Sequence, residues 1–179
     1  STAISTSDSP ASAIEIAWLD GHEVEEPNDS PGETIALAMG EGIQQSGVLM
    51  GTGWDPEAQP NSISECGQPL AFPPDSPGDY TGDVDWLTLE VRDAATLCTA
   101  VSLENTELSF DLTIYVLDAC DMPVEVFVNR DGPIGVERTG GRWSGEVTVP
   151  AGSRIGMALS GYWPDDPTLE TPWVISAAL

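Results

Sequence analysis

Apolar and polar residues alternate along most of this chain, a pattern typical of β-strands whose two faces meet different surroundings. The clearest stripe lies in residues 108–118, where Phe110, Leu112, Ile114 and Val116 recur at every second position. Side chains two residues apart in a strand point to the same face of the sheet. We therefore predict that these four form part of the core.

Further alternating or apolar segments occur along the chain, and turn-forming stretches with Gly, Pro, Asn and Asp separate them. These segments are residues 13–19, 47–51, 83–91, 95–103, 124–129, 145–161 and 172–179. Within 83–91, the residues Leu87, Leu89 and Val91 fall on one face, which predicts a second core stripe. A helix-like spacing occurs only in the short stretch 31–42. Many short strands with this punctuation predict an all-β protein, an antiparallel β-sandwich.

Two stretches define the predicted domain organisation. Residues 1–22 begin with a run rich in Ser, Thr and Ala, the composition of a linker, and include the alternating segment 13–19. Residues 51–80 carry several prolines and no period, and a loop of this length is usually functional or disordered. We predict an N-terminal segment, 1–22, with an extra or donor strand at 13–19, followed by one sandwich, 23–179, with a long loop at 51–80.

The charge of the chain limits its partners. Thirty Asp and Glu residues face five Arg and no Lys, which gives a formal net charge of −25. Nucleic acids and anionic membranes need a positive surface, so neither is an expected partner. No apolar run reaches the roughly 18 residues of a membrane helix. The linker-like start suggests an exported chain, and we expect a secreted or cell-surface location.

Three cysteines and one histidine leave few options for chemistry. Cys66, Cys98 and Cys120 lack the paired spacing of a zinc site. We expect one disulfide and one free buried thiol, with three reduced core cysteines as the alternative and no pairing readable from the sequence. His22 is the only base for a Ser-His or Cys-His mechanism, and it lies in the linker-like segment. We predict that the protein is not an enzyme.

Acidic residues are concentrated in two motifs, EVEEPNDS at 23–30 and GDYTGDVDW at 78–86. Two carboxylates about 5 Å apart repel each other by roughly 3 kcal/mol at an effective dielectric near 20. A hard cation such as Ca²⁺ takes six to eight oxygen ligands and would turn this repulsion into attraction. An EF-hand loop does not fit, because Val84 stands where that loop needs glycine. A solvated acidic surface is the simpler alternative.

The order of these motifs resembles a known family. EEPNDS at 25–30, GDVDWLTLEV at 82–91, FDLTIYVLD at 110–118 and a C-terminal VTVPAG hairpin are similar to the bacterial pre-peptidase C-terminal domain. The collagen-binding domains of clostridial collagenases belong to the same family. The resemblance spans roughly Glu23–Leu179. It implies a secreted, non-catalytic, calcium-binding sandwich of jelly-roll type, with the acidic N-terminal segment held against the sheet through the metal.

The resemblance also implies the ligands, and the matching positions come from both motifs: Glu26, Asn28, Asp29, Asp83 and Asp85. One position departs from the pattern, because Val24 stands where members of the family often have another glutamate. The long loop supplies Asp55, Glu57 and Asp75 as further candidate ligands.

Aromatic residues near the C-terminal end suggest a binding surface. Tyr162, Trp163 and Trp143 could stack on a sugar or a peptide, although packing at an edge is the commoner role of such residues. We therefore expect a calcium-binding module for adhesion or accessory binding to an extracellular protein or polysaccharide. The alternative is a self-assembling subunit of an extracellular fibre or surface layer, in which segment 13–19 completes the sheet of the next copy.

Overall fold

A computed structural model describes residues 16–21, 34–52, 54–55, 62–63, 66–67, 69–70, 79–80, 84–105, 110–129, 142–162 and 169–179. These residues contain β-strands and no helix. The strands are β1 (Ala17–Trp18), β2 (Thr34–Leu37), β3 (Glu41–Thr52), β4 (Trp54–Asp55), β5 (Ser62–Ile63), β6 (Pro69–Leu70), β7 (Asp79–Tyr80), β8 (Val84–Val91), β9 (Ala95–Leu103), β10 (Phe110–Leu117), β11 (Pro123–Asn129), β12 (Arg142–Val149), β13 (Ser153–Tyr162) and β14 (Glu170–Ala178).

Ten of these strands form two sheets that pack face to face. Sheet I has the order β1-β3-β14-β9-β12, and sheet II has the order β11-β10-β13-β8-β2. Neighbours are antiparallel except for the parallel pairs β1–β3 and β2–β8. The end of β3, Gly51 and Thr52, pairs in parallel with Gly161 and Tyr162 of β13, so this strand joins both sheets at one corner. The predicted all-β sandwich is confirmed.

The space between the sheets holds the main core, and the predicted stripes supply much of it. Phe110, Leu112 and Ile114 are buried, and Val116 is half-buried against the same cluster. The stripe of β8, which consists of Leu87, Leu89 and Val91, is buried there as well. Both core predictions are confirmed, because residues two apart in a strand point to the same face and these side chains are packed together between the sheets.

The outer face of sheet II carries a second apolar cluster. Its buried members come from the central strands and are Val84, Trp86, Tyr115, Leu117 and Ala158. The rings of Trp86 and Tyr115 are stacked, with centroids 5.8 Å apart and an angle of 26° between their planes. Because β8 is buried on both of its sides, something must cover this outer face.

The segment between β3 and β8 is connected to both ends of sheet II. It leaves β3 beside Tyr162 and re-enters the sheet at Val84, which pairs with Ser160 at the same end of β13. A disulfide joins Cys66 in this segment to Cys120, which follows β10 at the opposite end of the sheet. The segment is thus anchored at both ends of the face. The predicted loop 51–80 includes two short ladders, β4–β7 and β5–β6.

Three expectations need correction or refinement. The stretch with helix-like spacing contains strand β2, because it pairs with β8 along four residues. One disulfide is confirmed, but the free thiol of Cys98 is exposed and not buried, because it lies at an outward position of β9. In segment 13–19, Ala17 and Trp18 pair with Glu41 and Gly42 of the same chain. They form an edge strand of sheet I. The boundary at residue 22 lies outside the described residues.

Candidate functional site

Strand β8 places the second half of the G-D-x-D motif inside the sandwich. Asp85 lies at the start of the strand, on the same face as Leu87 and Leu89, and its side chain is fully buried. The indole Nε1 of Trp173, on β14 of the opposite sheet, donates a hydrogen bond to Asp85 Oδ2. A buried carboxylate needs such donors, because it has given up its hydrogen bonds to water and would be costly to bury without replacing them. Asp85 therefore links the two sheets through the core.

A glycine makes room for this contact. Gly47 lies opposite Trp173 in the β3–β14 ladder, and a Cβ atom at Gly47 would lie 2.6 Å from Cζ2 of the indole. Any larger residue at this position would push the ring away. The absence of a side chain at Gly47 thus lets Trp173 lie across β3 and reach Asp85.

The register of β2 and β8 aligns the two acidic motifs along the chain. Thr34 lies opposite Thr88 in this parallel pair. In the sequence, Asp29 comes five residues before Thr34, and Asp83 comes five residues before Thr88. Along the sequence, Asp29 and Asp83 therefore stand at the same separation from a pair of aligned residues in two parallel strands.

An arginine links the first residue of β2 to the turn after β10. Arg154 Nε on β13 donates a hydrogen bond to Thr34 Oγ1 at 3.0 Å, and Arg154 Nη1 forms an ion pair with the buried carboxylate of Asp121. Asp121 lies in the turn after β10, next to the disulfide-bonded Cys120, with a left-handed φ of 61°. The disulfide, the ion pair and the first residue of β2 form one continuous set of contacts.

The structure describes only some of the predicted site residues. Asp85 is described above, whereas Glu26, Asn28, Asp29, Asp83 and Trp163 lie outside the described residues, as does Val24. Within the described ranges, no group of three or more His, Cys, Asp or Glu side chains is placed to hold a metal ion. The backbone of Trp143 lies in β12 of sheet I and that of Tyr162 in β13 of sheet II, so these two aromatics belong to different sheets.

Two residues that matter at this site were missed from the sequence. Trp173 gave no signal beyond its place in an alternating strand, because its partner Asp85 is 88 residues away. Arg154 had a weak signal: it is one of five basic residues in a chain with 30 acidic ones. A cation so rare in such a chain is expected to have an acidic partner, although the sequence does not identify Asp121.

Comparisons with known proteins agree with the fold and identify no protein family by sequence. No protein-family model matches the chain, and no curated protein matches it either. Among solved structures, it is similar to the pre-peptidase C-terminal domain of a collagenase from Bacillus anthracis. The identity is 12%, the TM-score is 0.47, and the match covers 86% of this chain and 99% of that one. The resemblance predicted from the sequence is confirmed as a likeness in structure.

A second solved structure is CorA, a surface-associated copper-binding protein of Methylomicrobium album BG8. It is 8% identical, with a TM-score of 0.51, and the match covers 84% of this chain and 99% of that one. A third is PliG of Aeromonas hydrophila, a periplasmic inhibitor of g-type lysozyme, at 11% identity and a TM-score of 0.38, with 83% and 97% covered. At 8% identity, the likeness to CorA supports a shared fold and nothing about function. In the part of the chain that the structure describes, no helix could cross a membrane.

Proposed function

We propose that this chain is a non-catalytic, calcium-binding β-sandwich module that binds an extracellular protein or polysaccharide. The parallel register of β2 and β8 carries the calcium part of the proposal. It pairs Thr34 with Thr88, and Asp29 and Asp83 each come five residues before one of these two positions in the sequence. Two acidic motifs that precede adjacent parallel strands at the same sequence separation are well suited to share one cation with six to eight oxygen ligands.

Two further observations support an extracellular binding role. The Cys66–Cys120 disulfide is typical of an oxidising compartment outside the cytosol. The structural neighbours named above are the pre-peptidase C-terminal domain of a collagenase, a surface-associated copper-binding protein and a periplasmic lysozyme inhibitor. These support a module that binds and does not catalyse, and the single histidine of the chain fits that role. The pairing of β1 within its own chain gives the fibre alternative no support.

Thermal unfolding with calcium and with a chelator tests the metal. Ligand at 100 times its Kd stabilises a folded state by about 2.7 kcal/mol. For a domain of this size, that corresponds to a Tm increase of roughly 5–10 °C. The double variant Asp29→Asn/Asp83→Asn should lose this increase.

The matched control removes a carboxylate elsewhere. Asp93 is exposed in the turn between β8 and β9, and Asp93→Asn should keep the full calcium response. An identical Tm of the unmodified protein with calcium and with chelator would rule out the calcium site. If the double variant keeps the calcium-induced Tm increase, calcium binds somewhere other than at the two motifs.

A further inference from the structure

The outer face of sheet I is open, in contrast to that of sheet II, and it carries two grooves that flank Trp18. The first has a volume of about 400 Å³ and lies over β14, β9 and β12, with Ser176, Ala100, Ser144 and Glu146 in its lining. The second, of about 370 Å³, is lined by residues that include Gln44, Ser46 and Val174. Volumes of this size suit small ligands. Trp18 lines both grooves and stands between them.

The indole of Trp18 is held in place while much of it remains in contact with solvent. The side chain is 49% exposed. Its inner edge rests on Gly42, where an added Cβ atom would lie 2.8 Å from Cζ3 of the ring. The backbone on either side is fixed by hydrogen bonds from Ala17 N to Gly40 O and from Leu19 N to Gly42 O, at 2.8 and 2.7 Å. A rigid, half-exposed aromatic ring is a low-entropy contact surface for a ligand.

The walls and floors of the grooves combine small apolar side chains with hydrogen-bonding groups. In the first groove, Ala100 and Ala178 lie beside the hydroxyls of Ser144 and Ser176 and the carboxylate of Glu146. Gln44 Nε2 donates a hydrogen bond to Ser176 Oγ at 3.2 Å, so polar groups of the two grooves are in direct contact. From β1 to β12, the face extends over four strand spacings, or about 19 Å. This length accommodates more than one sugar ring.

The charge of the protein selects among ligand classes. Glu146 lies in the first groove, and the chain carries a formal net charge of −25, so an anionic ligand would be repelled. Carboxylate, amide and hydroxyl groups together accept and donate hydrogen bonds to ligand hydroxyls. A neutral sugar offers both an apolar C–H face for the indole and hydroxyls for these groups.

We propose that Trp18 and its two grooves bind a neutral glycan, with one sugar ring stacked on the indole. The inference rests on the proposed function as a binding module and specifies its ligand class and its site. None of the residues that line the two grooves belongs to the predicted aromatic residues or to the acidic motifs. The glycan would lie across the strands of sheet I, between Trp18 and Glu146.

Titration with defined oligosaccharides tests the proposal. Cellohexaose, chitohexaose and mannohexaose serve as neutral probes, and a heparin hexasaccharide as the anionic one, with binding followed by calorimetry and by amide NMR shifts. We expect at least one neutral probe to bind, to shift the amides of Ala100, Ser144 and Ser176, and to bind at least ~10-fold more weakly to Trp18→Ala. Ala100→Leu, which fills the first groove with Trp18 intact, should weaken binding as well.

Val124→Ala is the matched control, because Val124 is 65% exposed on sheet II and should not affect binding. The proposal is wrong if none of the neutral probes binds, if the heparin probe binds more tightly, or if binding is unaffected by both groove variants. It is also wrong if the groove amides shift with protein concentration alone, because a second copy would then occupy the face. Repeating the titration with chelator separates this result from the calcium proposal, since the groove residues are distinct from the acidic motifs.

Discussion

The two sheets of the sandwich present outer faces of opposite character. On sheet II, Trp86 and Tyr115 are stacked and buried on the outer face. On sheet I, Trp18 and Val174 remain 49% and 40% exposed above small residues. An aromatic residue on the outside of a sheet can therefore serve either stability or recognition. What decides between the two roles is whether another part of the chain covers the face.

The strands themselves show the difference. Strand β8 is buried on both sides, with Val84 and Trp86 outward and Leu87 and Leu89 inward. Strand β9 alternates between buried and accessible positions, as expected for a sheet with one solvated face. A strand that is apolar on both sides thus indicates a covered face, and strict alternation indicates an open one.

The largest expected effect comes from truncating a ring on the covered face. Trp86→Ala should lower the free energy of unfolding by about 3–5 kcal/mol, because it removes a buried aromatic side chain and leaves a cavity. Val174→Ala, on the open face, should change it by less than about 0.5 kcal/mol. Urea unfolding of both variants measures the difference. Equal losses would mean that the two faces are not as different as their burial indicates.

Removing the disulfide should have the next largest effect. Cys66 and Cys120 are 54 residues apart, and loop-closure entropy for a link of this length amounts to about 4 kcal/mol. Cys66→Ser/Cys120→Ser should therefore destabilise strongly, whereas Cys98→Ser on the open face should be nearly neutral. Thermal unfolding of the two variants under oxidising conditions compares them. A destabilisation by Cys98→Ser that matches the double variant would contradict the assignment of the faces.

A smaller effect is expected from the polar contact that crosses the interior. Trp173→Phe keeps most of the ring but removes the N–H that donates to Asp85, and it should lower the free energy of unfolding by about 1–3 kcal/mol. Trp18→Phe is the matched change on the open face and should cost less than about 0.5 kcal/mol. Urea unfolding again provides the measurement. If the two Trp→Phe variants are equally stable, the Asp85 contact contributes nothing to stability.

The main strands were predictable because alternation is a local signal that needs no knowledge of partners. Residues 95–103 were predicted as a strand with the bounds that the structure gives β9. Strand β2 was harder, because a four-residue segment fits a helical spacing as well as an extended one. The two-residue strands β4 to β7 are too short to produce any period.

The candidate site depends on contacts that join distant parts of the chain, and the sequence gives these only in part. The acidic motifs were visible from composition, but the register that aligns Thr34 with Thr88 follows from the packing of the whole sheet. The pairing of Cys66 with Cys120 was likewise unreadable, because three cysteines allow several pairs. Trp18 was seen only as part of an alternating segment, since exposure depends on what covers a face.

The turn at residues 39–40, just before β3, has a mechanical consequence. Gly40 N donates a hydrogen bond to Leu179 O, and Gly40 O accepts one from Ala17 N, so the first and last described strands meet at one corner of the sandwich. A pulling force applied between residue 16 and Leu179 would act across the strands at that corner and would open these hydrogen bonds one after another. It would not shear the core ladders. Tension would therefore release β1 first, together with Trp18, and leave the rest of the sandwich folded.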